Sequence, residues 1–410
     1  MHSRIYFVIM LLVLLTIAII YFINDDRTAH NNESDDSKGL GHNHDITDEA
    51  IINQMSLDEK IGQMIFAGIS GTSANQKTKE LIHKYKIGGI ILYAENIETS
   101  KQTLQLLNQL KMENEDNPQP LLLGIDQEGG DVSRLPKEII HIPTNQEIGA
   151  RNNSQFSYEI GTLLGKELNA FGFNLNFAPV LDVNSNPNNP VIGDRSFSND
   201  TDVVSKLGIK TMKGIQSQNV ISVIKHFPGH GDTSVDSHLN LPVVDKSLEQ
   251  LDELELLPFK EAIDNGADAV MIAHLLLPKI DGKFPSSMSK KVITDILREQ
   301  LAFDGVVISD DMTMNAITNN YDMKEAAVES VLAGSDIILV AHDYNKIIAT
   351  VDTLKQAVIK GEISEDRINE SVRRIIGLKN KYTIRDKKVK SIDIETLNQF
   401  IRNILNQYFE

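Results

Sequence analysis

The chain has 410 residues, no cysteine and a formal net charge of −17. Without cysteine there is no disulfide, no thiolate metal site and no thiol nucleophile. The acidic balance excludes a protein built to hold nucleic acid, which is bound through an excess of Lys and Arg. It also gives no net attraction to anionic lipid or wall polymers.

The first element is an apolar run over residues 5–23, broken only by Thr16 and tyrosines near its ends. At about 1.5 Å rise per residue this run is long enough to span a bilayer. His2 and Arg4 precede it and Asp25 and Asp26 follow it, which places the start of the chain in the cytoplasm and the bulk outside. Neither a small-x-small cleavage site nor a lipobox cysteine accompanies it, so residues 1–23 read as an uncleaved anchor in the cell membrane rather than a removed signal. Residues 24–47 are polar and read as a flexible linker. His42 and His44 within it read as solvated rather than metal-binding.

From Asp48 onward short apolar runs alternate with amphipathic stretches. Strands are expected at 64–69, 89–93, 121–126, 174–178, 220–225, 269–274, 305–310 and 336–340. Most are rich in Ile, Val or Leu and lack strict alternation, as parallel strands covered on both faces do. Helices are expected at 101–114, 155–171, 202–218, 248–265, 290–301 and 323–332, then at 344–360 and 365–382. A last helix or loosely attached tail falls at 391–409. Eight strand–helix repeats predict an α/β fold, a (β/α)8 TIM-type barrel, with one catalytic domain over 48–385 and a C-terminal helical tail over 386–410. An open doubly wound sheet is the competitor. It is disfavoured because polar groups end most strands, as at a barrel mouth, and because no Gly-x-Gly-x-x-Gly fingerprint follows the first strand.

Four segments carry chemistry. Lys225-His226-Phe227-Pro228-Gly229-His230-Gly231-Asp232, ending in Asp236-Ser237-His238, follows an apolar strand directly. A core does not tolerate that density of polar groups without partners; a catalytic loop uses it. Ser309-Asp310-Asp311-Met312 delivers two adjacent carboxylates at a strand end. Side chains alternate there, so one faces the pocket and the other caps a helix or pairs with a base. Asp126-Gln127-Glu128-Gly129-Gly130, with Arg134 beyond, offers a carboxylate and a guanidinium suited to a hydroxyl-rich ligand. Its bland reading is a structural salt bridge. Ile192-Gly193-Asp194-Arg195-Ser196 adds a loop arginine that either meets ligand or pairs with its neighbouring Asp. His226, His230 and Asp232 have spacing open to a metal pair, but a coil with Pro and Gly does not hold them on one face. His274 reads as a hydrogen-bonded core histidine.

Together, in this order, the four segments resemble glycoside hydrolase family 3, specifically its bacterial β-N-acetylglucosaminidases, over roughly 55–378. The long loop with its Asp-Ser-His end is the most specific of them. The resemblance implies a retaining exo-β-N-acetylglucosaminidase with Asp310 as nucleophile, His238 as acid/base and Asp236 as its partner. It places substrate contacts on Asp126, Arg134, Arg195, Lys225 and His226, with no cofactor and no metal. The expected substrates are GlcNAc-containing muropeptides or chito-oligosaccharides, cleaved by a monomer during peptidoglycan turnover. Asp131 departs from the family pattern, which usually has arginine there, and so does the membrane segment. The alternatives are a β-glucosidase or β-xylosidase, a phosphorylase using phosphate in place of water, and a non-catalytic wall-binding protein.

Overall fold

The computed structural model describes residues 48–409. Residues 48–54 are helical and belong to an N-terminal unit; a second unit begins at Met55. The expected anchor at 1–23 and linker at 24–47 lie outside the described residues. Among the described residues no helix is long and apolar enough to cross a membrane.

Eight parallel strands form the second unit's sheet. They are β1 Ile65–Gly68, β2 Gly89–Leu92, β3 Leu122–Ile125, β4 Leu175–Asn176, β5 Ile221–Phe227, β6 Ala269–Ile272, β7 Val306–Ser309 and β8 Ile338–Val340. Their spatial order is 7-6-5-4-3-2-1-8. A parallel bridge between Ile308 and Ile337 brings β7 to the start of β8, with Ser309 N donating to Ile337 O at 3.0 Å. That link closes the ring and selects the barrel over the open sheet. Every residue of the eight strands is buried, which explains apolar runs without alternation.

Aromatic rings fill the barrel interior beside glycines. Phe66 and Phe177 meet edge to face at 5.5 Å between centroids. A Cβ on Gly124 would lie 2.9 Å from Phe66 Cζ and 3.0 Å from Phe177 Cε2, and one on Gly89 would lie 2.6 Å from Phe66. The two glycines leave the volume that the rings occupy.

The helices follow the expected intervals with several differences, among them unexpected helices at Gln76–His83, Asn145–Arg151 and Asn315–Thr318. The single helix expected at 248–265 is two, Leu248–Glu253 and Leu257–Asp264, because Pro258 lacks an N–H and sits in the first turn of the second. Lys291–Gln300 is π-helical. A helix not expected, Leu57–Gln63, opens with a capping box between Ser56 and Glu59. The last helix, Ile394–Phe409, is docked rather than loose. Asn398 exchanges hydrogen bonds with Ile140 N and Glu138 O, and Tyr408 stacks on Phe156 at 4.3 Å.

Two buried charges pin the amino-terminal end of the barrel. Lys379 donates to Gln63 Oε1, Gly88 O and Pro120 O. Asp336 accepts from Arg298 at 2.6 Å and from Ser371 at 2.8 Å.

Candidate active site

At the carboxyl ends of the strands lies a cavity of about 500 Å³. All eight residues expected from the sequence line it: Asp126, Arg134, Arg195, Lys225, His226, Asp236, His238 and Asp310. They come from the end of β5 and from segments after β3, β4, β5 and β7, the distribution a barrel imposes on its site.

Lys225 and His226 are adjacent in β5, and both reach the cavity. The register against β6 shifts between Ile224 and Phe227, so this strand carries a bulge. A bulge re-aims side chains that strict alternation would send to opposite faces. Lys225 Nζ, fully buried, donates to Asp126 at 2.5 Å and reaches Glu128 at 2.6 Å. Arg195 grips the same Glu128 with both Nε and Nη2, at 2.9 and 2.8 Å. Burial alone would raise the Glu128 pKa. The charges of Arg195 and Lys225 outweigh it and hold the carboxyl far below its ordinary range. Lys225 and Arg195 are correspondingly raised, their carboxylate partners outweighing their own burial.

Neither bland alternative holds: Asp126 pairs with Lys225 rather than with Arg134, and Arg195 pairs with Glu128 rather than with Asp194. Among the described residues no carboxylate forms an ion pair with Arg134, so its guanidinium is available to a ligand.

His226 is set by Asp182. Its Nδ1 lies 2.7 Å from Asp182 Oδ2, and Arg195 Nη2 approaches Nε2 at 3.4 Å. An arginine N–H only donates, so Nε2 is the acceptor and Nδ1 carries the proton. Asp182 Oδ1 accepts from His230 N at 2.6 Å, tying the start of the long loop to the same carboxylate. His230 Nδ1 lies 2.9 Å from Thr233 Oγ1, which itself donates to His230 O. Its Nε2 is buried without a partner, and burial pushes its pKa down to about 4. The ring is therefore neutral, with an acceptor lone pair at the cavity wall. Asp232 pairs with Lys246 at 2.9 Å and takes no part with the two histidines.

Asp236 accepts from His238 twice through one oxygen, from the backbone N and from Nδ1, both at 2.8 Å. This turn fixes the imidazole with Nδ1 occupied and Nε2 open. The His238 side chain is 67 % exposed and rides on a loop rising from the barrel. Asp236 is lowered because the His238 N–H groups and ring charge outweigh burial.

Asp310 directly follows β7, with Oδ1 accepting from Asp311 N at 2.8 Å. Burial would raise its pKa. The electrostatic influence of the His274 and His226 rings, the Asp311 N–H and His238 outweighs it and lowers the carboxyl below its ordinary value. Asp311 behaves as the second of two adjacent acids should. Its oxygens accept from Thr313 N, Thr313 Oγ1 and Ala341 N, bracing the loops after β7 and β8. His274 is buried between Ser287 Oγ at 2.7 Å and Asp311 O at 3.0 Å, as a core histidine is.

Three residues of this network were given no substrate or catalytic role in the sequence reading. Glu128 stands two positions from Asp126, on the same side of the chain, and that spacing was its signal. Asp182 had only its place just past a strand end, and His230 was weighed only as a metal ligand with His226 and Asp232. Gln127 is a fourth member of the architecture: its Oε1 accepts from Arg134 N at 2.9 Å and its Nε2 donates to Glu167 at 3.3 Å. Glu167 is wholly buried with Oε1 unpaired, and burial raises its pKa to about 8.

Residues 56–378 match the family described as glycosyl hydrolase family 3 N-terminal domain. The chain belongs to glycosyl hydrolase family 3. It is 37 % identical over 334 residues to a beta-hexosaminidase A of Pseudoalteromonas piscicida, covering 76 % of this chain and 56 % of that protein. It is 33 % identical over 297 residues to a beta-hexosaminidase of Methylobacillus flagellatus, covering 71 % of this chain and 84 % of the relative. The chain thus spans little more than half the length of the first of these relatives. Among solved structures, a glycoside hydrolase family 3 β-N-acetylglucosaminidase from Paenibacillus sp. str. FPU-7 superposes with a TM-score of 0.81 at 40 % identity, covering 86 % of this chain and 69 % of that one.

Proposed function

We propose that the protein is a retaining exo-β-N-acetylglucosaminidase that releases terminal GlcNAc through a covalent intermediate on Asp310. The observation that carries this reading is the His238–Asp236 pair beside a cavity lined by one deeply set carboxylate. Retaining enzymes ordinarily use two carboxylates about 5–5.5 Å apart; here the second is replaced by an imidazole on an exposed loop. Asp310 attacks the anomeric carbon as the bond to the leaving oxygen breaks. His238 Nε2 gives that oxygen its proton, then takes one from the water that cleaves the glycosyl ester. Asp236 holds Nδ1–H and offsets the positive charge of the transient imidazolium, as an orienting carboxylate does in a triad. Lys225, Asp126, Arg195 and His226 form the floor that receives sugar hydroxyls, and Arg134 adds a free guanidinium above it.

The names of the relatives support a GlcNAc-containing substrate, and we take muropeptides of peptidoglycan as that substrate and the cell surface as its place. The charge and hydropathy of residues 1–23 support anchoring with the catalytic unit outside. Two substrates test the chemistry. His238→Ala should lower kcat/KM for a sugar leaving group by about 10²–10⁴-fold, the scale of lost general acid catalysis. It should leave glycosylation by an activated aryl glycoside, followed by its burst, close to wild type. Equal loss on both substrates removes His238 from the acid role. Release of GlcNAc from purified muropeptides, with aryl glucosides as controls, tests the substrate.

A further inference from the structure

At the end of the barrel opposite the catalytic mouth, a second cavity of about 380 Å³ opens between residues 169–174, which lead into β4, and the segment 382–389. Its charged lining is wholly cationic: Lys111, Arg385, Lys387 and Lys388, with no Asp or Glu. This is unusual company in a chain with 57 acidic and 40 basic residues. Lys387 and Lys388 alone would be an ordinary solvated surface. Lys111 is not ordinary, being only 4 % exposed. Among the described residues no hydrogen bond or ion pair reaches its ammonium.

The nearest carboxylate, Asp386, acts on Lys111 only through its charge. That carboxylate is turned inward, accepting from Asn114 Nδ2 at 2.7 Å and Leu121 N at 3.2 Å. Burial therefore holds the Lys111 pKa below its ordinary value. The Lys111 stem is buried while its ammonium opens to this cavity without a partner among the described residues, and a desolvated charge of that kind is costly unless an opposite charge meets it. Room for it is specifically made: Gly172, with φ of 94°, lies where a Cβ would stand 2.5 Å from Lys111 Nζ. The opposite wall is fixed in place. Tyr382 O accepts from Asn219 Nδ2 at 2.8 Å, and Val389 bonds the Asn108 side chain through both its N and its O.

We infer that this cavity binds a phosphate-bearing polyanion, with Lys111 meeting an oxyanion at depth and Arg385, Lys387 and Lys388 meeting its neighbours at the rim. One orthophosphate is small beside a cavity of about 380 Å³ lined by four cations, so the ligand carries several phosphates. A flat bilayer surface does not reach Lys111, so the ligand is soluble or a chain that enters the cavity. Such a ligand leaves the catalytic mouth, at the other end of the barrel, unobstructed.

Calorimetry on the full chain tests this with sodium tripolyphosphate, a short glycerol-phosphate oligomer and orthophosphate. Saturable binding of tripolyphosphate identifies a free polyphosphate as sufficient; saturable binding of the oligomer alone identifies a phosphodiester chain. In either case affinity should fall about tenfold or more in Lys111→Met, the scale of one charged hydrogen bond. A similar fall is expected in the double variant Lys387→Ala/Lys388→Ala, and orthophosphate should bind more weakly than the better ligand. The inference is overturned if neither polyanion saturates wild type, or if Lys111→Met binds as well as wild type. Should Lys111→Met fail to fold, unchanged affinity in the double variant overturns it equally.

Discussion

Glu128→Gln is the most informative single change to the charge network. The carboxylate is wholly buried, makes two hydrogen bonds to Arg195 at 2.9 and 2.8 Å and lies 2.6 Å from Lys225. Replacing it with an amide leaves two cations facing each other with Asp126 as their remaining carboxylate. Breaking a buried pair by removing one partner costs about 3–5 kcal/mol, and opening to the cavity places this case near the lower end. Denaturant unfolding should therefore show a loss of about 3 kcal/mol. Displaced Lys225 and Arg195 should lower kcat/KM by roughly 10–100-fold, mainly through KM, since about 1.4 kcal/mol is a factor of ten. The pH dependence has a definite sign. A carboxyl held below its ordinary value contributes stability that is full above pH ~4.5 and is lost as pH falls through the folded-state value. The acid limb of the stability profile should be shallower in the variant. A stability change under about 1 kcal/mol with unchanged kcat/KM would refute the idea that this carboxylate organises the floor of the site.

Glu167 should behave oppositely. Its folded pKa of about 8 lies above the ordinary 4.5, so its contribution is full below pH ~4.5 and is lost as pH rises through 8. At about 1.4 kcal/mol per unit the swing is on the order of 4–5 kcal/mol; Glu167→Gln should flatten it and stabilise the protein at pH 9, and an unchanged slope would contradict the assignment. Gly124→Ala should destabilise by about 1–3 kcal/mol through overpacking against Phe66 and Phe177, and Phe66→Leu in the same chain should recover part of that loss in a double-mutant cycle.

Much of the fold was legible because a barrel strand is short, apolar throughout and followed by chemistry. Each of the eight intervals overlaps its strand, and Asp126, Lys225, His226 and Asp310 stand at or beside the strand ends where they were expected. The Asp236–His238 pair was legible for a different reason: its geometry is local, two residues apart. What was hidden is long-range. Lys225 meets Asp126 across 99 positions of chain, and nothing in either segment says that Arg195 will choose Glu128 over Asp194. Glu167 occupies a core position of the helix Ser154–Phe171, where a sequence pattern reads only an interruption. The bulge that turns both Lys225 and His226 inward is a property of pairing with β6 and has no sign in β5 itself. Local signals were also passed over: Ser56 and Glu59 spell a capping box, and Pro258 marks the break between two helices.

The central claim is a division of labour in which Asp310 bonds to the sugar and His238 moves the proton. It is tested most directly by incubating the enzyme with an activated 5-fluoro GlcNAc glycoside, whose fluorine slows the oxocarbenium-like steps, and mapping the trapped adduct by peptide mass spectrometry. The account predicts one glycosyl group, on the peptide containing Asp310 and lost in Asp310→Ala. An adduct on any other side chain, or one that persists in Asp310→Ala, would contradict it.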